Sequence, residues 1–300
     1  MKYSSWGDIK KILILVITFS LFLLTNQLVI AEPIGESIIY VSKSSIGNFS
    51  TIQDALDSAE SGDTIYAYNG TYFENIVIDK SIILIGEDKN NTIIDGRETG
   101  NTIKVNADNV TIQSFTIQHS GLIFPNSGIN LSSNYNLIED NIIMYNFYGM
   151  TLYRSSWNTI RGSIIQNDIN CGIYLSKSSD NTIIDNTIRC HTYNGLGVYD
   201  SSDRNIIQSN DLNHNSFCAV NIRTSSDNNV IDNNISDNNI GIHLPSSENT
   251  VSGNVFSNNN IDVEREFSLS ESESILIFVI IMILCILGII FCRRMRKKKG

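Results

Sequence analysis

The chain carries a degenerate repeat that returns every 20 to 26 residues between Val110 and Val263. Each repeat follows the frame Ser-Ser-x-Asn-x-Ile-x-x-Asn-x-Ile and then, after a variable stretch, Gly-Ile-x-Leu, as at Gly172–Leu175. Short apolar runs with period-two alternation predict strands rather than helices. Because no repeat can bury an apolar face alone, the pattern predicts a solenoid whose successive turns, here called rungs, stack on one another.

Aligning the Gly-Ile-x-Leu motifs predicts which side chains point inward. Alternation sends the Ile and Leu positions to one side and the x position to the other. Two inward columns then stay apolar, as a stacked parallel core requires: Ile129, Met150, Ile173, Leu196, Val220, Ile242 and Leu131, Leu152, Leu175, Val198, Ile222, Leu244. The residue before each run predicts a tight corner or a positive φ, and it is Gly128, Gly149, Gly172, Gly195, Ala219 or Gly241.

Asparagine recurs in two further columns. The rung-opening column is Asn136, Asn158, Asn181, Asn205, Asn229, Asn249, and the second is Phe115, Asn141, Ser163, Asn186, Asn210, Asn234, Asn254. Stacked asparagines at a turn can hydrogen-bond along the column and to corner backbone groups. Both columns are therefore predicted to be structural and not to bind a ligand.

The segment before the repeats predicts a cap. Ile52, Ala55 and Leu56 share one face of a helix over residues 51–60, and Ser50 with Gln53 forms a candidate capping box. A helix over the open end of a solenoid is the expected capping device. We therefore expect an N-terminal cap at residues 38–75.

Five motifs in this N-terminal part carry a family resemblance. They are Thr51-Ile-Gln-Asp-Ala, Gly62-Asp-Thr-Ile, Gly70-Thr-Tyr-Phe-Glu, Ile82-Ile-Leu-Ile-Gly and Thr92-Ile-Ile-Asp-Gly. They resemble the opening of pectin-lyase-like right-handed parallel β-helices, and over residues 38–261 the chain is most similar to NosD-like (copper-maturation) β-helix proteins of bacterial and archaeal surfaces. The resemblance implies an all-β, single-stranded right-handed parallel β-helix. It implies no single activity, because this fold carries lyases, esterases, hydrolases, epimerases and non-catalytic adhesins.

The two ends of the chain predict a membrane location. Residues 1–31 combine Lys10 and Lys11 with an apolar stretch and a small-residue cleavage site, which predicts a signal peptide, with an uncleaved anchor as the alternative. Residues 275–292 carry no charge and are about long enough to span a bilayer. The basic tail 293–300 predicts a cytoplasmic C-terminus. We expect a type I single-pass cell-membrane protein with an extracellular β-helix at 32–261 and an acidic stalk at 262–274.

Charge narrows the class of partner. Residues 32–274 hold 12 Lys and Arg against 30 Asp and Glu, a net charge of −18, whereas the whole chain carries −10. An acidic ectodomain argues against nucleic acid and other polyanions and favours cations or neutral glycans. The alternative is that the charge only keeps a surface protein soluble.

A first candidate site is for copper or zinc. Cys190 and His214 fall at one position on adjacent rungs, with His191 beside them, and thiolate with imidazole is a copper or zinc ligand set. The NosD-like resemblance implies copper delivery, and the alternative is that these side chains fill a turn. Cys171 and Cys218 fall two rungs, about 9.6 Å, apart, too far to pair, so free buried thiols are expected.

A second candidate site is for calcium. Four carboxylates each follow a Ser-Ser pair at one turn of successive rungs: Asp180, Asp203, Asp227 and Glu248. Stacked carboxylates repel unless they are splayed into water or bridged by a cation. The resemblance adds that calcium-dependent pectate lyases use acidic residues on neighbouring rungs together with an arginine. The alternative is an exposed, solvated turn.

A third candidate site is a glycan-binding face. Two outward columns beside the core place aromatic and polar side chains on one sheet face: Tyr153, Tyr174, Tyr199, Asn221, Arg223 and His243. Aromatic rings stack on sugar faces while polar neighbours fix hydroxyl groups. The alternative is that tyrosine is simply a favourable outward strand residue.

Enzyme signatures are mostly missing, and no catalytic residue is predicted. Gly70–Glu74 resembles the first pectinesterase motif, but the motifs that carry that family's catalytic Asp pair and Arg are absent from the sequence, as is the polygalacturonase pattern. The sequence favours non-catalytic recognition or display of glycans or cell-envelope partners. The alternatives are copper delivery and a lyase or epimerase, which would need Arg223 within reach of two carboxylates in a cleft.

Overall fold

The computed structural model describes residues 37–44, 47–245, 248–265 and 279–280, in which the strands form three parallel sheets of a right-handed β-helix. The first sheet contains β1 (Ile38–Val41), β2 (Thr64–Ala67), β5 (Ile83–Gly86), β8 (Thr111–Gln113), β11 (Leu137–Glu139), β14 (Thr159–Arg161), β17 (Thr182–Ile184), β20 (Ile206–Gln208), β23 (Asn229–Ile231) and β26 (Thr250–Ser252). The second contains β3 (Gly70–Tyr72), β6 (Thr92–Asp95), β9 (Thr116–Gln118), β12 (Ile142–Met144), β15 (Ile164–Gln166), β18 (Thr187–Arg189), β21 (Asp211–Asn213), β24 (Asn234–Ser236) and β27 (Val255–Ser257). The third contains β4 (Ile76–Ile78), β7 (Ile103–Val105), β10 (Ser127–Leu131), β13 (Tyr148–Tyr153), β16 (Ile173–Ser176), β19 (Leu196–Tyr199), β22 (Cys218–Ile222), β25 (Ile240–Leu244) and β28 (Ile261–Arg265). The predicted all-β solenoid is confirmed.

The predictions for the chain ends fall largely outside this range. The signal peptide 1–31, the tail 293–300 and all of the span 275–292 except residues 279–280 lie outside the described residues. In the part of the chain that the structure describes, no helix is long and apolar enough to cross a membrane. The predicted stalk begins too early, because Asp262–Arg265 belong to β28, which pairs with β25; residues 266–274 lie outside the described range.

The core is the pair of inward columns that the alternation predicts. Ile129, Met150 and Ile173 pair directly on successive strands of the third sheet, as do Leu131, Leu152 and Leu175 one position along. All six side chains are fully buried. Since each strand is only three to six residues long, this stacking supplies the burial that a single rung lacks.

One short helix, α1 (Ile52–Ser58), caps the N-terminal end and buries Ile52, Ala55 and Leu56 against the first rungs. The cap differs from the prediction by one residue, because Thr51 Oγ1, and not Ser50, accepts the N–H of Asp54 at 3.2 Å. The Glu74 carboxylate then accepts the N–H of Gln53 at 3.0 Å. A tertiary contact thus replaces the local capping box.

Ladders of buried polar side chains run along the corners. Asn205 Oδ1 accepts from the backbone N and the Nδ2 of Asn181 at 2.9 and 3.0 Å, and Asn181 Nδ2 also donates to Ser155 O at 3.1 Å. The same pattern links the second predicted column. At two Asn-Asn pairs the ladder residue is the first one, Asn228 or Asn233, and not Asn229 or Asn234 as aligned. The structural role is otherwise as predicted.

A third ladder has no counterpart in the sequence prediction, since only part of it is asparagine. It contains Ser120, Asn146, Asp168, His191, Asn215, Asn238 and Asn259. Asp168 Oδ1 accepts from Asn146 N at 2.8 Å, and His191 Nδ1 accepts from Asp168 N at 3.3 Å. The second nitrogen of His191 lies 3.1 Å from Ile165 O, to which it donates in this tautomer. Neutral imidazole therefore reproduces the bonds of an asparagine amide.

The buried pair in this ladder is electrostatically unusual. Asp168 Oδ2 has no hydrogen-bond partner and lies 3.5 Å from His191 Nδ1. Burial raises the pKa of Asp168 well above its usual range and lowers the pKa of His191 to about 3. Both shifts follow from the cost of holding a charge away from water.

The glycine column has a different cause from the one predicted. Gly128, Gly149, Gly172, Gly195 and Gly241 are not in the left-handed region. A Cβ at Gly172 would lie 2.5 Å from His191 Nε2, and one at Gly149 would lie 2.6 Å from Asp168 Oδ2. The column is glycine because the ladder side chains fill the space of a Cβ.

Candidate functional site

A groove runs along the outer face of the third sheet. One section, about 570 Å³, includes Lys104, Phe124, Tyr153 and Lys177 among its lining residues. A second section, about 300 Å³, includes Tyr148, Tyr193, Tyr199, Asn221 and Arg223. Both sections are lined by Tyr174 and Asp200, so together they form one continuous depression. We call it the third-sheet groove; it spans the rungs from β7 to β22.

Aromatic rings form the floor of this groove. The ring centroids of Tyr148 and Tyr174 lie 5.2 Å apart, and those of Tyr174 and Tyr199 are also 5.2 Å apart. Burial raises the pKa of each of these three phenols. They therefore remain neutral hydroxyl groups at physiological pH, suited to stacking and hydrogen bonding rather than to proton abstraction.

Five of the six residues predicted for the glycan face line the groove: Tyr153, Tyr174, Tyr199, Asn221 and Arg223. His243 lies one rung further, is only 3% exposed, and its Nδ1 is 3.0 Å from Asn221 Oδ1. It therefore holds the Asn221 amide from behind instead of facing solvent.

The groove walls contain residues that the sequence alignment did not select. Phe124 and Pro125 stand on one side, in a loop where Ile123 and Phe124 are 71% and 67% exposed. The signal was present in the rung length, since Ile103 pairs with Ile129 26 residues later, whereas Ile129 pairs with Met150 after 21. An over-long rung indicates a loop that leaves the solenoid surface.

The opposite wall carries the one carboxylate among the residues that line the groove, Asp200. Its Oδ2 accepts the Ser176 hydroxyl at 2.8 Å, and its backbone N–H donates to Thr224 Oγ1 at 3.2 Å. Asp200 and Ser201 are both in the left-handed region, at φ 57° and 61°. The structure thus fixes this carboxylate at the edge of the groove by contacts on both neighbouring rungs.

The predicted copper or zinc donors do not converge. Cys190 and His214 do occupy one corner position on adjacent rungs, since Arg189 pairs with Asn213 immediately before them. Cys190 is exposed, contrary to the buried thiol expected, whereas Cys171 and Cys218 are buried. The ring of His191 points into the third ladder, away from both. Across the described ranges, no group of three or more His, Cys, Asp and Glu side chains is placed to hold a metal, so these residues do not fit a copper cage.

The predicted calcium column is broken by a cation. Thr182 pairs with Ile206, so the neighbour of Asp180 is Arg204, and Asp203 lies one position earlier. Arg204 donates to both carboxylate oxygens of Asp180, at 2.8 and 2.7 Å. The extra residue in this 24-residue rung shifts the register. Asp180 is therefore neutralised by a side chain, and the four carboxylates do not form one stack.

Comparison with solved structures places the fold among glycan-active β-helices. The chain is similar to the pectate lyase Pel9A (16% identity, 79% of each chain, TM-score 0.59). It is also similar to the catalytic domain of a GH87 α-1,3-glucanase in complex with nigerose (17% identity, TM-score 0.58), covering 74% of this chain and 44% of that domain. A third is the Azotobacter vinelandii mannuronan C-5 epimerase AlgE6 A-module (15% identity, 71% of this chain and 72% of that one, TM-score 0.55). At such identities the likeness shows the fold alone.

Family comparison identifies the chain more directly. Curated proteins give no match. The family model described as periplasmic copper-binding protein (NosD) matches residues 56–219 and 192–271. That range covers most of the β-helix and more than half of the sequence, and the chain therefore belongs to the NosD family.

Proposed function

We propose that the protein recognises an extended glycan in the third-sheet groove without altering it chemically. The observation that carries this proposal is the continuous depression floored by Tyr174 and Tyr199 and edged by Tyr153. Long, shallow faces with aromatic platforms suit sugar polymers. The glycan-active enzymes among the similar solved structures show that related solenoids present such faces.

The location proposed for this recognition is the cell surface. A signal peptide at 1–31, a membrane span at 275–292 and a basic cytoplasmic tail would hold the solenoid outside the membrane. A groove along the solenoid axis would then be open to polymers of the cell envelope or to envelope proteins that carry glycans.

An enzyme is the second candidate, a lyase or epimerase acting on the same polymer. It is favoured by the similarity to a pectate lyase and a mannuronan C-5 epimerase. Against it, Arg223 shares the groove lining with a single carboxylate, Asp200. Acid–base chemistry at a sugar needs converging groups with separated pKa values, which supports recognition over catalysis. Copper delivery is not supported, because the donor set of Cys190 and His214 has no third member close by.

The test is a glycan array probed with the full-length chain in detergent, with and without calcium. Tyr174→Ala removes the central platform and is expected to weaken binding about five- to tenfold, the equivalent of about 1–1.5 kcal/mol for one stacked ring. Tyr135→Ala is the matched control, since Tyr135 is 54% exposed and stacks on Trp157 outside the groove lining. Equal loss in both variants, or no glycan binding at all, would contradict the proposal.

The same preparation separates recognition from catalysis. Incubation with polygalacturonate or alginate is followed by ultraviolet absorbance of unsaturated products and by NMR of the C5 protons. No product is expected. Product whose formation depends on Asp200 would establish the enzyme instead.

A further inference from the structure

One wall of the groove is a column of corner residues on successive rungs. Tyr153 pairs with Ser176 and Ser176 with Tyr199, so the residues that follow them, Arg154, Lys177 and Asp200, occupy equivalent positions. All three are in the left-handed region, at φ 53°, 53° and 57°. Neighbouring rungs are about 4.8 Å apart, which is comparable with the length of one pyranose ring and its linkage. A glycan lying along the groove therefore meets one wall residue per sugar.

The groove gathers cations that the rest of the described surface neutralises. Elsewhere, Lys89, Arg161 and Arg204 form ion pairs of 2.5 to 2.7 Å with carboxylates. Lys104 and Lys177 are exposed and have no carboxylate within ion-pair distance among the residues described. Arg223 is likewise exposed at the far end of the groove. In a chain with an excess of 18 negative charges between residues 32 and 274, this local reversal favours an anionic ligand.

Asp200 interrupts this cationic lining. It lies between the rung of Lys177 and the rung of Arg223, and the hydroxyl of Ser176 holds its carboxylate at 2.8 Å. A sugar carboxylate beside it would meet like charge, whereas a pair of neutral hydroxyls can donate to it. The rungs on either side can each hold an acidic sugar.

We infer, on the basis of the proposed function, that the ligand is a heteroglycan in which a neutral sugar stands between acidic ones. The neutral sugar lies at Asp200, and acidic sugars lie at Lys177 and Arg223. Carboxylate and sulfate would serve equally as the acidic group on charge alone. Lys177 presents a point charge that either anion satisfies, whereas Arg223 presents a planar fork that matches carboxylate in two-point contact. The experiment below includes both anions.

The experiment measures binding of hexasaccharides to the full-length chain by calorimetry. The probes are hyaluronan (acidic and neutral sugars alternate), chondroitin sulfate (alternating, sulfated), oligogalacturonate (acidic throughout) and cello-oligosaccharide (neutral throughout). The alternating probes are expected to bind tightest and the neutral probe weakest. If oligogalacturonate binds as tightly as hyaluronan, the inference is overturned; if no probe binds, the proposed function itself fails.

Two substitutions locate the effect. Asp200→Asn keeps the side-chain shape and the left-handed backbone, and it is expected to raise oligogalacturonate affinity about two- to fivefold while changing hyaluronan affinity less, as for a partly exposed charge contact. Lys177→Gln is expected to lower the affinity for every acidic probe. Asp185→Asn, an exposed left-handed aspartate outside the groove lining, is the matched control. An unchanged oligogalacturonate-to-hyaluronan ratio in Asp200→Asn would refute the assignment of the neutral subsite.

Discussion

Replacing Asp168 by asparagine is expected to stabilise the protein increasingly as the pH rises. Asp168 occupies a ladder position where Asn238 uses Nδ2 to donate to Leu212 O at 3.0 Å. The equivalent acceptor for residue 168 is the carbonyl of Ile143. A protonated carboxyl can make that donation, but a carboxylate cannot, and its Oδ2 has no partner. A buried polar atom without a partner costs about 1–3 kcal/mol, and more when charged.

The pH dependence follows from the two buried groups of the third ladder. Burial raises the pKa of Asp168 above its ordinary value of 3.8, so the folded chain keeps a proton that the unfolded chain releases, and stability falls as the pH rises through that interval. Burial lowers the pKa of His191 from 6.5 to about 3, so the unfolded chain binds a proton that the folded chain refuses, and stability falls as the pH drops below 6.5. Each slope is about 1.4 kcal/mol per pH unit.

Between about pH 4 and pH 6.5 these opposite slopes cancel in the wild-type protein. The cancellation holds whether the shared proton lies on Asp168 or on His191, since the proton count is the same. Above pH 6.5 only the Asp168 slope remains, and the wild type loses stability. In Asp168→Asn the His191 slope stands alone, so the variant gains on the wild type by about 2.7 kcal/mol from pH 5 to pH 7.

The assay is urea unfolding of the full-length chain at pH 5, 6, 7 and 8, followed by far-ultraviolet circular dichroism. Asp185→Asn removes an exposed carboxylate and controls for net charge. The double variant with His191→Asn should show neither slope. A gain of Asp168→Asn that does not change with pH, or a variant less stable than wild type at pH 8, would refute the reasoning.

Two further predictions concern the glycine column and the thiols. Gly172→Ala is expected to destabilise the protein by about 1–3 kcal/mol, because the new Cβ would lie 2.5 Å from His191 Nε2; denaturation of Ala219→Gly, a change in the same column that adds no atom, is the comparison, and an equal effect would contradict the steric cause. Iodoacetamide at pH 8 is expected to modify the exposed Cys190 in the native protein while sparing Cys171, whose thiol pKa is raised to about 12 by burial. Peptide mass spectrometry reads both sites, and equal labelling rates would contradict the burial assigned to Cys171.

Much of the fold could be predicted because period-two alternation survives changes in rung length. Ile129, Met150 and Ile173 align from the Gly-Ile-x-Leu motif alone, whatever the intervening turns contain. The same motif fixed the outward columns and therefore brought Tyr174 and Asn221 to one face. A motif that names both sides of a strand predicts a surface as well as a core.

Corner positions were harder to predict, because a single extra residue moves them without disturbing the strands. The 24 residues between Thr182 and Ile206 displace Asp203 from the column of Asp180, although both follow a Ser-Ser pair. The third ladder escaped notice for a related reason: a carboxyl group at Asp168 and an imidazole at His191 replace the asparagine that marks the other ladders. Chemical equivalence of hydrogen-bonding atoms is not visible in residue identity.

The corners also show where this solenoid is free to carry function. A bulky residue in the left-handed region costs about 1 kcal/mol or more, and most such residues have a compensating neighbour in their own column. Tyr135 and Trp157 stack at 5.3 Å, and Arg204 pairs with Asp180 at 2.7 Å. Lys177 is also left-handed, yet it has no ion-pair or aromatic partner in the described ranges. Its conformation is not repaid within the solenoid, which is consistent with a partner that arrives in the groove.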